Sequence, residues 1–123
     1  MRSFTYDLNG EEIEMRLTSS DAIKIEDTYK VKLLDFIQDY SIKTIVTLLR
    51  YMRRGATGKP QSQEDAETLF DKLVDSGLAI ENILSDIIMP ACEKSGLLTE
   101  SDLQMIKEKK EEAKEKATQS QAI

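Results

Sequence analysis

Phe4-Thr5-Tyr6-Asp7-Leu8-Asn9-Gly10-Glu11-Glu12-Ile13-Glu14-Met15 decides how this chain begins its fold. Apolar and polar residues alternate on both sides of Asn9-Gly10, which is the pattern of a strand buried on one face. Asn-Gly supplies the two positive-φ residues that a two-residue hairpin turn requires. A turn at 9–10 pairs Leu8 with Glu11, Tyr6 with Ile13 and Phe4 with Met15. Thr5 and Glu14 then point the other way. A slip of one residue would turn the apolar set to the wrong face, so turn and pattern agree on one register. The hairpin spans 2–17, and two strands alone are marginal in water, so its apolar face must rest on helices.

Helical signals follow. Thr18-Ser19-Ser20-Asp21 is a capping-box-like start, and Ala22, Ile25 and Tyr29 recur at helical spacing with Ile23 alongside. Residues 30–37 either continue this helix or form a separate turn; the reading adopted is a break near Tyr29–Lys32 and a short helix over 33–38. Ser41 caps a helix to about Arg54, whose apolar Ile42, Ile45, Val46, Leu48, Leu49 and Met52 form a face too broad for a surface helix. Gly55 sits where a C-terminal glycine belongs, followed by a loop over 55–62. Ser62 heads a helix over 63–75 with Ala66, Leu69, Phe70, Leu73 and Val74 on one face, ended by Ser76-Gly77. A second amphipathic stretch over 79–94 carries Ile80, Ile83, Leu84, Ile87, Ile88 and Ala91. Pro90 is expected to kink or shorten it, and Gly96 to close it. Thr99-Glu100-Ser101-Asp102 opens a last helix with Leu103 and Ile106 inward and Met105 nearby. Residues 107–116 are almost entirely Lys and Glu, and 117–123 have no pattern. The expected fold class is therefore α+β, mostly α: an N-terminal β-hairpin packed on a bundle of about four to five helices, with a charged C-terminal tail. The expected organisation is one globular domain over 1–106 (hairpin 2–17, helical part 19–106) and a frayed or disordered tail over 107–123.

Composition limits the chemistry. The 123 residues include no histidine, no tryptophan and one cysteine, Cys92. No Ser-His-Asp or Cys-His unit can be assembled, no histidine can bind a metal, and one cysteine makes neither an intrachain disulfide nor a cysteine-rich zinc site. Apolar runs fall far short of the roughly 20 residues that span a bilayer, and the first residues lack the apolar core of a secretory signal. The expectation is a cytoplasmic, non-enzymatic protein without cofactor or metal. The net charge of −6 is uneven: residues 24–59 hold eight basic and four acidic side chains, residues 60–99 two and eight. The basic middle and acidic third quarter can attract each other within one fold or between neighbouring copies. An acidic chain is not drawn non-specifically to nucleic acid.

The motifs that invite a functional reading are weak. Gly55-Ala56-Thr57-Gly58-Lys59-Pro60 has the wrong glycine spacing for a phosphate loop, has proline after its lysine, and follows a helix. Carboxylates such as Glu64, Asp65, Glu100 and Asp102 sit in first turns of helices, where capping and the helix dipole place them. No run matches a calcium loop. Cys92, beside Pro90 and Ala91, reads as buried filler. Arg50, Arg53 and Arg54, at i, i+3 and i+4, form one basic patch that either favours the helix C-terminus or docks an acidic partner, another copy of this chain included.

The order of these features resembles the tail assembly chaperones of long-tailed bacteriophages and of prophages in Gram-positive bacteria. The resemblance runs from Phe4 to Ala22, through the Leu33-Leu34-Asp35-Phe36-Ile37 segment, the apolar central helix and the acidic-led helix at 64–75, to Ser95-Gly96-Leu97-Leu98 and the Lys/Glu-rich tail. It implies a non-enzymatic protein that binds the long helical tape measure protein and keeps it soluble while the tail tube assembles around it. Further partners implied are the tail tube protein and other copies of the chain, with no nucleic acid and no membrane. Such chaperones work in the host cytoplasm, are absent from the mature virion, and many are also made in a longer, frameshifted form. The candidate partner-contacting residues are the arginines 50, 53 and 54 together with Ile80, Leu84 and Ile87 on the 79–94 helix.

Overall fold

A computed structural model describes residues 3–39, 41–106 and 108. It bears out the α+β, mostly α class, with one antiparallel hairpin at the N-terminus followed by helices. Strands β1 (Phe4–Leu8) and β2 (Glu11–Met15) pair in the expected register, Phe4 opposite Met15, Tyr6 opposite Ile13 and Leu8 opposite Glu11. Asn9 and Gly10 take φ of 53° and 93°, and the Asp7 carboxylate accepts the Gly10 N–H at 2.8 Å. Leu8, Ile13 and Met15 are buried, so the hairpin's apolar face covers the helices.

Helix α1 (Ser19–Tyr29) stops where Lys30 turns left-handed with φ of 57°. The break expected near Tyr29–Lys32 is therefore real, and α2 (Leu33–Ile37) starts just beyond it. Glu26 accepts the Leu33 N–H at 3.0 Å, and the Tyr29 and Phe36 rings meet at 4.9 Å, which ties the two helices together. Helix α3 (Ile42–Thr57), capped by Ser41, crosses the centre with Ile45, Leu48, Leu49 and Met52 fully buried. Helix α4 (Gln63–Asp75) packs against α3 and begins with a complete capping box between Ser62 and Asp65. Then come α5 (Ile80–Ile83), a π-helical turn (Leu84–Ile88) and α6 (Met89–Lys94), continuous along the chain. A last helical segment, α7, covers 100–106, with Thr99 and Asp102 exchanging both capping bonds. One hydrophobic cluster runs from Leu8 to Ile106 and takes in every one of these elements except α4's outer face.

Four expectations need correction. Helix α3 does not end at Arg54: it runs three residues further, and Gly58, with φ of 72°, is its left-handed cap. Gly55 is instead helical and sits under the chain leaving β2, where the Arg16 carbonyl leaves no room for a Cβ. Of the kink or shortening expected at Pro90, the shortening does not occur: the helical path continues through it to Lys94. The widened turn just before Pro90 carries the Met89 N–H to the Leu84 carbonyl, five residues back, and absorbs the strain that proline imposes on a regular helix. The third concerns the apolar faces of α3 and α4, which are narrower than the sequence pattern: Ile42 and Val74 are 51% and 42% exposed. Last, the short helix expected over 33–38 ends at Ile37. The tail expected over 107–123 lies, residue 108 apart, outside the described residues.

Candidate interaction surface

The three arginines of α3 do not act as one patch. Arg54 turns inward and pairs with Asp21, whose carboxylate is fully buried at the start of α1 and also accepts the Thr18 hydroxyl at 2.8 Å. Arg53 donates to the Glu14 carbonyl at 2.7 Å, and the Arg16 N–H donates to the Met52 carbonyl at 3.0 Å. Together these bonds fasten the end of β2 to the last turns of α3. Arg50 donates through Nε to the Gln61 carbonyl at 2.9 Å and lies 5.9 Å from the centre of the Tyr51 ring. Each of the three therefore holds the fold, and Arg50 alone stands exposed at the surface.

The apolar trio on the 79–94 unit divides as sharply. Leu84 and Ile87 are 1% and 0% exposed, members of the core. With Ile83, Ile88 and Met89 they form the inward side of this unit, which passes through the π turn. Only Ile80, at the start of α5, keeps an accessible side chain. As partner-contacting residues, Leu84 and Ile87 are corrected: a partner cannot reach them while the fold is closed.

The surface that sequence reasoning missed lies between α3 and α4. Ile42, Val46 and Phe70 line a shallow groove of about 700 Å³, edged by Glu64, Glu67 and Asp71 on α4 and by Lys43 on α3. The carboxylates stand at i, i+3 and i+7, one edge of a helix. None has an ion-pair or hydrogen-bond partner among the described residues. The attraction between the basic middle and the acidic third quarter is thus not realised as contacts between α3 and α4. The signal was present in the spacing of these acids, but it reads as an ordinary solvated face until Ile42 is seen to be left outside the core.

Titration adds little chemistry. Asp65 is held below its ordinary value by hydrogen bonds from the Ser62 backbone and hydroxyl, a capping effect. Burial pushes the Cys92 thiol up to about 12, which leaves it protonated and inert at neutral pH. Among the described residues no group of three His, Cys, Asp or Glu side chains is placed to hold a metal, and no helix is long and apolar enough to cross a membrane. No family model, curated protein or solved structure matches this chain.

Proposed function

We propose that this chain is a tail assembly chaperone of a long-tailed phage or prophage, acting without catalysis by binding the tape measure protein and keeping it soluble as the tail tube forms. The reading starts from the resemblance carried by residues 4–22, 33–37, 64–75 and 95–98. The observation that supports it best is a surface equipped for contact: half-exposed Ile42 beside carboxylates without partners, on a fold whose arginines 50, 53 and 54 serve its own packing. Exposed apolar side chains rimmed by charge suit reversible coverage of a helical partner's apolar stripe. In this reading the protein works in the host cytoplasm and leaves before the virion matures. Co-expression with the tape measure protein encoded beside it tests the proposal. The expected result is a soluble complex that co-elutes; unchanged tape measure solubility with no complex overturns it.

The acidic groove supports a second reading, a small acidic adaptor that sequesters a basic partner. Pull-down of a partner unrelated to phage tails would favour it over the first.

A further inference from the structure

The hairpin has two edges, and they are finished differently. A two-residue turn closes on a hydrogen-bonded Leu8–Glu11 pair, and bonded and non-bonded pairs then alternate along an antiparallel ladder. Thr5 and Asp7 on β1, and Glu12 and Glu14 on β2, therefore turn their main-chain N–H and C=O groups away from the other strand. The bonds at β2 agree with this parity: the Glu14 carbonyl accepts from Arg53, and the Arg16 N–H, next in step, donates to the Met52 carbonyl. Helix α3 thus takes up the β2 edge from Glu14 onward. On β1 the outward main-chain groups of Thr5 and Asp7 have no hydrogen-bond partner among the described residues, and both residues are exposed.

Between β1 and α6 lies a cleft of about 550 Å³, lined by Phe4, Pro90, Glu93 and Lys94. Phe4 and Pro90 are half-buried, as is Tyr6 on the same face of β1. The opposite face of the hairpin carries Asp7, Glu12 and Glu14, all exposed and without an ion-pair partner among the described residues. Half-buried Arg16 is the next residue on that side, and the Ser3 hydroxyl donates to the Glu14 carboxylate at 3.2 Å. That face is acidic by three charges against one, whereas Glu93 and Lys94 cancel at the cleft.

We infer that β1 accepts an extended segment of a partner polypeptide as a third, antiparallel strand. Thr5 and Asp7 then each exchange both main-chain bonds with the residue opposite, which completes the open edge. The added strand runs about 5 Å from β1, and its side chains alternate between the two faces. Residues opposite Phe4 and Tyr6 fall on the cleft side, which suits β-branched apolar side chains. The residue opposite Asp7 falls on the acidic face, which suits lysine or arginine, and a second cation opposite Ser3 comes beside Glu14. This edge takes an extended partner, whereas the proposed function calls for a helical one, so the two stand or fall separately.

The probe is a synthetic hexapeptide, acetylated and amidated, that reads valine, lysine, valine, threonine, valine, lysine. Amide hydrogen exchange of the full chain, followed by NMR, is the readout. In the free protein the Thr5 and Asp7 amides should exchange fast, and those of Tyr6 and Ile13 slowly. Peptide at about nine-tenths occupancy should slow Thr5 and Asp7 about tenfold. N-methylation of the first lysine and the threonine, whose N–H groups face β1, should abolish that slowing. N-methylation of the two later valines, whose N–H groups point away, should preserve it. Asp7→Asn keeps an acceptor for the Gly10 N–H and should weaken the peptide about two- to fivefold. Unchanged affinity there would overturn the cation preference. No slowing at millimolar peptide, equal binding of the two methylated forms, or slowing that follows protein concentration without peptide would each overturn the inference. Tape measure binding is a separate readout, so its failure would leave this result untouched.

Discussion

Arg54 and Asp21 form an ion pair in which the two partners are unequally placed: the carboxylate is fully buried, whereas the arginine side chain keeps 36% of its surface open to water. Asp21 thereby joins the start of α1 to the end of α3, thirty-three residues away in sequence. The burial asymmetry predicts an asymmetry in mutational cost. Arg54→Met strands a charge in the interior and should cost about 3 kcal/mol, near the low end for breaking a buried pair because the arginine side is partly solvated. Asp21→Asn keeps an acceptor for the Thr18 hydroxyl and lets Arg54 return to water, so it should cost about 1 to 2 kcal/mol. Urea unfolding of both variants reads the difference, and an Asp21→Asn cost equal to or above that of Arg54→Met would contradict the arrangement.

Gly55 makes a second long-range contact. Alanine for glycine inside a helix ordinarily stabilises by about 1 kcal/mol. Here the added methyl would overlap the Arg16 carbonyl, which is backbone and pinned by the bond from the Arg16 N–H to the Met52 carbonyl. Gly55→Ala should therefore destabilise by about 1 to 3 kcal/mol. Asparagine distinguishes the two glycines: it tolerates the left-handed conformation and should be accepted at Gly58, which has open space around it, and rejected at Gly55. Melting temperatures of Gly55→Asn and Gly58→Asn settle which glycine caps α3.

That pair of glycines marks the limit of what the chain's pattern can tell. The hairpin was legible to the register because an Asn-Gly turn and period-two alternation are local and independent, and both pointed one way. The Ser62 and Thr99 caps were legible for the same reason. The end of α3 was not. Gly55 and Gly58 look alike in sequence, and the distinction comes from Arg16, which is distant in the chain and close in space. Three arginines at helical spacing likewise read as one surface patch, though each is drawn to a different partner: Gln61, Glu14 and Asp21. The α3/α4 groove was hidden because an apolar residue at a helix start carries no mark of whether a neighbour covers it.

The division within the 79–94 unit gives a prediction on packing. Leu84→Ala and Ile87→Ala remove fully buried side chains and should each cost about 2 to 5 kcal/mol. Ile80→Ala should stay within about 1 kcal/mol, since that side chain is partly in water already. If the proposed partner contacts α5, Ile80→Ala weakens binding without lowering the melting temperature. A marginal effect of Ile87→Ala on the urea midpoint would place that residue outside the core.

Asp65 predicts a dependence on acid. Its folded-state pKa lies below the ordinary carboxylate value because the Ser62 backbone and hydroxyl bonds favour the ionised form. The sign follows from linkage: the contribution is present at neutral pH, above the unfolded-state pKa, and is lost as pH falls through the lower folded-state value. The gap in melting temperature between wild type and Asp65→Asn should thus be widest at neutral pH and narrow steadily on acidification. A gap that is constant with pH would mean that the charge of Asp65 does not act in the cap.

Cys92 offers a probe of opening. Its side chain is fully buried on α6, and burial raises the thiol pKa to about 12, so neither access nor ionisation permits reaction at neutral pH. Ellman's reagent should leave the folded protein unlabelled and take up one equivalent in denaturant. Two substitutions separate packing from polarity. Cys92→Ala leaves a small void and should cost about 1 kcal/mol. Cys92→Ser introduces a hydroxyl into an apolar site and should cost more, about 1 to 3 kcal/mol, unless it finds a backbone carbonyl one turn back. Because α6 also packs on β1, labelling in native buffer would have to pass through separation of hairpin and helix. Its rate should therefore fall in step with global stability across the Arg54 and Gly55 variants. Fast labelling that ignores those substitutions would show that α6 opens on its own, against the shared core described here.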